Sequence, residues 1–340
     1  MTVSELPRAR VHGRSVVALI AVLVAATGLL AVWALTLGDY PISVTATARA
    51  VVGDGPRADL LVVQRWRLPR VLAALLAGAA LACSGALLQS LLRNPLASPD
   101  VLGINMGAAT VAVAAIVLGV PGALLPAGAL AGAVGAALLL GAFAWRGGIG
   151  TDRLVLVGIG LHTGLYAAKT FLVVRFPDDV VSSAVLWTVG TLYNRGWLDV
   201  GLAATALAVL LPVAVVLLRL LAVLDLGDDL AAGLGLRVRR TRVAVLACAV
   251  ALAATGVALA GPLPFVALAV PFLARLLAGP LAPRTLLLAA LLGAALLLAA
   301  DVLAQHALPT SLPAGVVTAS LGAPVFFWLL WRHHRAGGQA

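Results

Sequence analysis

The chain has 340 residues, of which 62% are hydrophobic and only 11% charged, with a mean hydropathy of +1.10. A soluble domain carries roughly a quarter of its residues as charges, so this composition excludes a soluble globular protein and makes the bilayer the main solvent. The formal net charge is +10, yet the arginines stand singly or in small groups between long apolar runs, a distribution that fits membrane orientation and not nucleic-acid binding.

The polar start, Met1 to Arg14, places Arg8, Arg10 and Arg14 ahead of an apolar run over 15–37. That run exceeds the roughly 7–15 residues of a signal-peptide core and predicts an uncleaved first span. Further apolar runs follow at 68–91, 101–119, 122–145, 153–175, 198–222, 242–260, 264–279, 285–305 and 314–331. The expectation is an all-α polytopic membrane protein of about ten transmembrane helices. The run 264–279 carries Pro264 and Pro271 and reads either as a kinked span or as a re-entrant piece held by its neighbours. A single transmembrane domain over 15–332 is expected, flanked by tails at 1–14 and 333–340.

Ten spans put both termini on one side of the membrane. With that side cytoplasmic, fifteen of the 23 basic residues fall inside and eight outside, as the positive-inside rule requires. Arg49, Arg57, Arg65, Arg67 and Arg70 nevertheless cluster outside, which orientation alone does not explain. Small residues four apart, as in Gly103 and Gly107, Gly128 and Gly132, or Gly160 and Gly164, predict close helix contacts. Arg70-Val with Leu81-Ala-Cys-Ser-Gly85 is echoed by Arg242-Val with Leu252-Ala-Ala-Thr-Gly256 on a helix of opposite direction, the pattern of an inverted repeat.

Catalytic chemistry is missing from the sequence. Cys83 and Cys248 lie in apolar runs and read as packing residues, and the histidines His12, His162, His306, His333 and His334 are scattered or terminal. The single lysine, Lys169, follows no strand and lacks the glycine that a phosphate loop places before it. Asp301 is the one acid near a span's middle depth, toward an outer end, where capping or pairing at the interface is expected. No proton relay is present, so energy must enter from another chain. The candidate entry point is the inner segment Asp225 to Arg242, which opens with three acids, closes with four arginines and is broken by Gly227, Gly233 and Gly235. It reads as two short helices at the membrane surface, their dipoles matched by the charges, or as a loop held by anionic headgroups.

Arg67-Leu-Pro-Arg70, Ser84, Gly85, Gln89, Arg93-Asn94-Pro95-Leu-Ala97, Leu102-Gly103 and Gly107-Ala108 resemble the first half of the FecCD family, the iron-siderophore and vitamin B12 permeases of ABC importers. Leu226, Gly227, Asp228, Asp229, Ala231, Gly233, Leu234 and Gly235 resemble that family's coupling helices, about 225–240 here. Gly261-Pro-Leu-Pro-Phe265, Pro271, Arg275, Leu312-Pro-Ala-Gly315 and Leu321-Gly322-Ala-Pro324 complete the order over about 15–335.

The resemblance implies a bundle like the B12-importer permease, that is, a type II ABC importer. It implies two permease subunits, as a homodimer or heterodimer, and two ATP-binding subunits docked on the coupling helices. ATP and Mg2+ would sit on those partners, with no cofactor in this chain. An extracytoplasmic binding protein would deliver the ligand, and Arg67 and Arg70 match the permease positions that pair with its glutamates, as charge-steered docking favours. Where the family often places another arginine after Asp301, this chain has Gln305 beside His306, so either the dock rests on fewer charges or protonated His306 substitutes. The cargo the resemblance implies is a ferric siderophore of the enterobactin type, with heme or cobalamin as alternatives and a secondary carrier as the rival class.

Overall fold

A computed structural model describes residues 13–144, 151–176, 187–307 and 310–337. The described secondary structure is helical. In chain order the helices are α1 (Gly13–Thr36), α2 (Val44–Val51), α3 (Arg57–Leu91), α4 (Ile104–Val117), α5 (Leu125–Ala144), α6 (Thr151–Arg175), α7 (Trp197–Leu224), α8 (Asp228–Gly233), α9 (Val238–Ala260), α10 (Val266–Ala278), α11 (Pro283–His306) and α12 (Ala314–Gly337). Each of the ten predicted runs coincides with one of them. Among the described residues seven are long and apolar enough to cross a bilayer, while α4, α10 and the apolar part of α12 are shorter. Most of the N-terminal tail, Arg146 and residues 338–340 lie outside the described residues, and α12 continues past 332 to Gly337.

The run 264–279 folds as a 13-residue helix with Pro271 inside it. At 1.5 Å per residue that is about 20 Å, short of a roughly 30 Å hydrocarbon core. Its buried face packs on α3 and α11, as both the kinked span and the re-entrant piece require. Helix α4 begins at Ile104, three residues later than the predicted run, because Gly103 sits at φ +77 and breaks the helix there.

Helix α3 is the axis of the bundle: 78% of its apolar window is buried, against 11% for α1 and 6% for α6. It packs against α9, α11, α10 and α7, while α4, α5 and α6 form a second group joined through α9 and α5. Apolar area gives little drive for association in lipid, so close backbone contact has to supply it. A Cβ added at Gly78 would lie 2.1 Å from the Gly293 carbonyl oxygen, which is how α3 and α11 touch. Of the predicted stripes only Gly107 and Gly132 meet in this way, joining α4 to α5; Gly160 and Gly164 face open space on α6.

Candidate functional site

At its N-terminal end α3 opens with an α-turn over Arg57–Leu60 and continues as a π-helical segment over Leu61–Arg67 before its regular part starts at Leu68. Wide turns of this kind re-aim side chains and are frequent at functional sites. Arg67 donates from one guanidinium nitrogen to the Leu35 carbonyl at 2.9 Å and from the other to the Tyr40 carbonyl at 2.6 Å, capping the end of α1. Arg70 forms a two-pronged pair with Asp301 of α11, Nε to Oδ2 at 2.9 Å and the terminal nitrogen to Oδ1 at 2.8 Å. Gln305 donates to Asp301 Oδ2 at 2.7 Å. The interface pairing expected of Asp301 is therefore with Arg70, and Gln305 supports that pair. Tyr40, Trp66, Arg67, Arg70, Asp301 and Gln305 line a cleft of about 250 Å³, with His306 beside them.

Further in, the motif residues hold helices together. Ser84 donates to the Ala249 carbonyl at 2.6 Å, bonding α3 to α9. A Cβ at Gly85 would lie 1.8 Å from the Ala267 carbonyl oxygen, so α10 seats directly on the α3 backbone. Gln89 donates to the Leu268 carbonyl at 2.9 Å and accepts from Arg275, both on α10. Gly322 makes room for the Phe265 ring, and Phe265 itself caps α10 at φ +66. Pro324 lies inside α12.

The turn after α3 is built by side chains. Asn94 Oδ1 accepts from the Leu96 amide at 2.9 Å, and Pro95 falls inside this turn. Asn105 donates to Asp100 at 2.5 Å, and His162 of α6 bonds the Asp100 carbonyl at 3.0 Å. Burial pushes the Asp100 carboxyl up to about 6, against the lowering pull of Asn105 and His162. The sequence did not single out this trio or the pairing of Gln89 with Arg275, although a lone arginine in an apolar run is itself a signal.

The inner segment 225–240 holds one short helix, not two. Helix α8 opens with Asp228 and Asp229, the end where its dipole favours acids. The arginines Arg239, Arg240 and Arg242 lie in the first turns of α9, where the dipole opposes them. The expected dipole match thus fails for the basic half. Arg242 instead pairs with Asp228 at 2.8 Å and straps α8 to α9. Gly227 at φ +105 and Gly235 at φ +84 turn the chain on either side of α8. Ala231 of α8 is buried, while Leu230 of α8 and the flanking Leu226 and Leu234 are 64%, 57% and 69% exposed. These leucines leave apolar surface flanked by charge at and beside α8.

Among the described residues no group of three or more potential metal ligands occurs. The model of the FecCD transport family matches residues 21–332. The chain is 42% identical over 315 residues to the ferric enterobactin transport system permease protein of Escherichia coli K12, covering 92% of this chain and 95% of that one. It is 40% identical over 317 residues to the Fe(3+)-citrate import system permease protein of Bacillus subtilis 168, again covering 92% and 95%. A solved chain described as an inward-facing conformation of a metal-chelate type ABC transporter superposes with a TM-score of 0.82 at 27% identity, covering 93% of this chain and 99% of that one. With a family model matched over residues 21–332 and a relative 42% identical over 92% of this chain's length, the chain belongs to the FecCD transport family.

Proposed function

We infer that this chain is the permease subunit of an ATP-binding-cassette importer that carries an iron–siderophore complex across the bacterial cytoplasmic membrane, with both termini in the cytoplasm. The observation that carries the energy-input half of this reading is the exposed leucines at and beside α8, Leu226, Leu230 and Leu234, next to Asp228, Asp229 and the α9 arginines. Large apolar side chains exposed together beside charges mark a docking surface, and here the partner is the ATP-binding subunit. Two such subunits, with their ATP and Mg2+, serve two permeases. Helix α6 supports the second permease: it is the least buried span, and its Lys169, stacked 4.9 Å over Tyr166, is a charge that lipid would not solvate.

At the outer end Arg67 and Arg70 are the proposed binding-protein dock. Arg70 remains 22% exposed while paired to Asp301, so an incoming glutamate shares that arginine rather than meeting a bare charge. The ferric chelate is proposed from the relatives, whose names include both enterobactin and citrate at nearly equal identity. The common cargo chemistry is Fe(3+) held by oxygen donors.

The test is uptake of 55Fe-enterobactin and 55Fe-citrate by cells carrying or lacking this permease with its partners, together with purification of the complex. Leu230→Asp should abolish co-purification of the ATP-binding subunit, and substitution of Asp228 or Asp229 should leave ATP hydrolysis running while uptake falls. Wild-type levels of both in the variants would remove the α8 assignment. Uptake of neither chelate would remove the iron cargo.

A further inference from the structure

The inner turn after α3 reads in sequence as a connection, yet it is tied by charge to the segment that carries α8. Arg93 sits at φ +49, a left-handed conformation that non-glycine residues rarely take. That backbone carries its guanidinium across to the end of α7, where it donates to the Leu224 carbonyl at 2.5 Å, which also accepts from the Gly227 amide at 3.1 Å. Its Nε lies 3.9 Å from the Asp225 carboxylate. Asp225 also feels the charge of Arg275 on α10. Arg275 donates to Gln89 of α3, and Gln89 donates back to the Leu268 carbonyl of α10 at 2.9 Å.

Two polar clusters therefore meet at Asp225: Arg93, bonded to the end of α7, and Arg275, bonded to Gln89 and acting on Asp225 through its charge without a direct ion pair. Together they bridge the inner turn, α3 and α10. Only Leu226 and Gly227 separate Asp225 from α8, and Gly227 supplies the pivot. The Arg93 and Asp225 side chains are 52% and 58% exposed, and a solvated pair at that distance adds little to static stability. Such a contact can be remade as its ends move. The Gln89 end, in contrast, is fixed on buried backbone.

The geometry points to Arg93, Asp225 and Arg275 as a positioning relay that passes displacement of α8 to α3 and α10. When an ATP-binding partner moves α8, Asp225 moves with it, and the two arginines that share its charge pull the inner turn and α10 along. This rests on the docking role given to α8 above.

Hydrogen–deuterium exchange of the complete permease–ATPase complex, with and without a non-hydrolysable ATP analogue and Mg2+, tests the relay without needing the cargo. In wild type, nucleotide should change exchange both at 226–236 and at the inner-turn and α10 segments, 89–100 and 271–284. In Arg93→Gln and in Asp225→Asn the change at 226–236 should persist while that at 89–100 and 271–284 falls at least threefold. A distant response that survives in both variants, or is missing in wild type, overturns the relay and leaves the dock standing. No response at 226–236 in wild type overturns the dock, and the relay with it.

Discussion

Removing the Arg70 guanidinium by Arg70→Ala strips the Asp301 carboxylate of two of its hydrogen bonds, leaving only the 2.7 Å bond from Gln305. Asp301 is 3% exposed with Arg70 in place, so the lost partner is replaced only as far as water enters the cleft that Arg70 vacates. Breaking a buried pair from one side costs about 3–5 kcal/mol. Because the Arg70 side chain is 22% exposed, the pair is partly screened and about 2–4 kcal/mol is expected here. Asp301→Asn should cost less, about 1–2 kcal/mol, since the unpaired arginine already reaches solvent while the buried carboxylate reaches it only through the vacated cleft. The ordering Arg70→Ala worse than Asp301→Asn is thus the signature of the geometry. Thermal unfolding in detergent can be followed with a thiol-reactive fluorophore, because Cys83 and Cys248 are both buried and free. Equal or reversed destabilisation would show that the carboxylate is not held dry by α11, and the structural role of the pair would be refuted.

Gly85→Ala should destabilise the protein by about 1–3 kcal/mol or prevent assembly, because the new methyl overlaps the Ala267 carbonyl of α10. Gly135→Ala, with nothing within 4 Å of its added Cβ, is the control and should be neutral; equal behaviour of the two would refute the seating of α10 on α3. Asp100, raised to about 6 from an ordinary 3.8, stabilises the fold fully only below the lower value, and that contribution is lost as pH rises through the higher one. Melting temperature in wild type should therefore fall between about pH 4 and about pH 6 and level off above that, and stay flatter in Asp100→Asn; the same slope in both would remove Asp100 as the cause.

The motif residues were legible because each does something a chain pattern can record. Gly85 and Gly322 mark places where no side chain fits, and Pro271 and Pro324 interrupt apolar helices. The leucines at and beside α8 could be read as part of a charged segment, but not as exposed, since exposure depends on which neighbours are absent. The second short helix was misplaced because a run of arginines looks alike whether it ends one helix or starts another. Hydrogen bonds across the spaces between helices decide that, as the strap from Arg242 to Asp228 does.

Apolar length and the scarcity of charge determined from sequence alone that the chain is a multi-span membrane protein, because lipid admits only segments that satisfy their own backbone. The order of motifs identified its family. Tertiary structure decided the partners of the few charges: Asp301 on Arg70, Asp228 on Arg242, and Asp225 between Arg93 and Arg275. Arg70 and Asp301 lie 231 residues apart in the chain, a separation at which no local pattern can specify a contact. Only the packing of α11 against α3 brings them within hydrogen-bond reach.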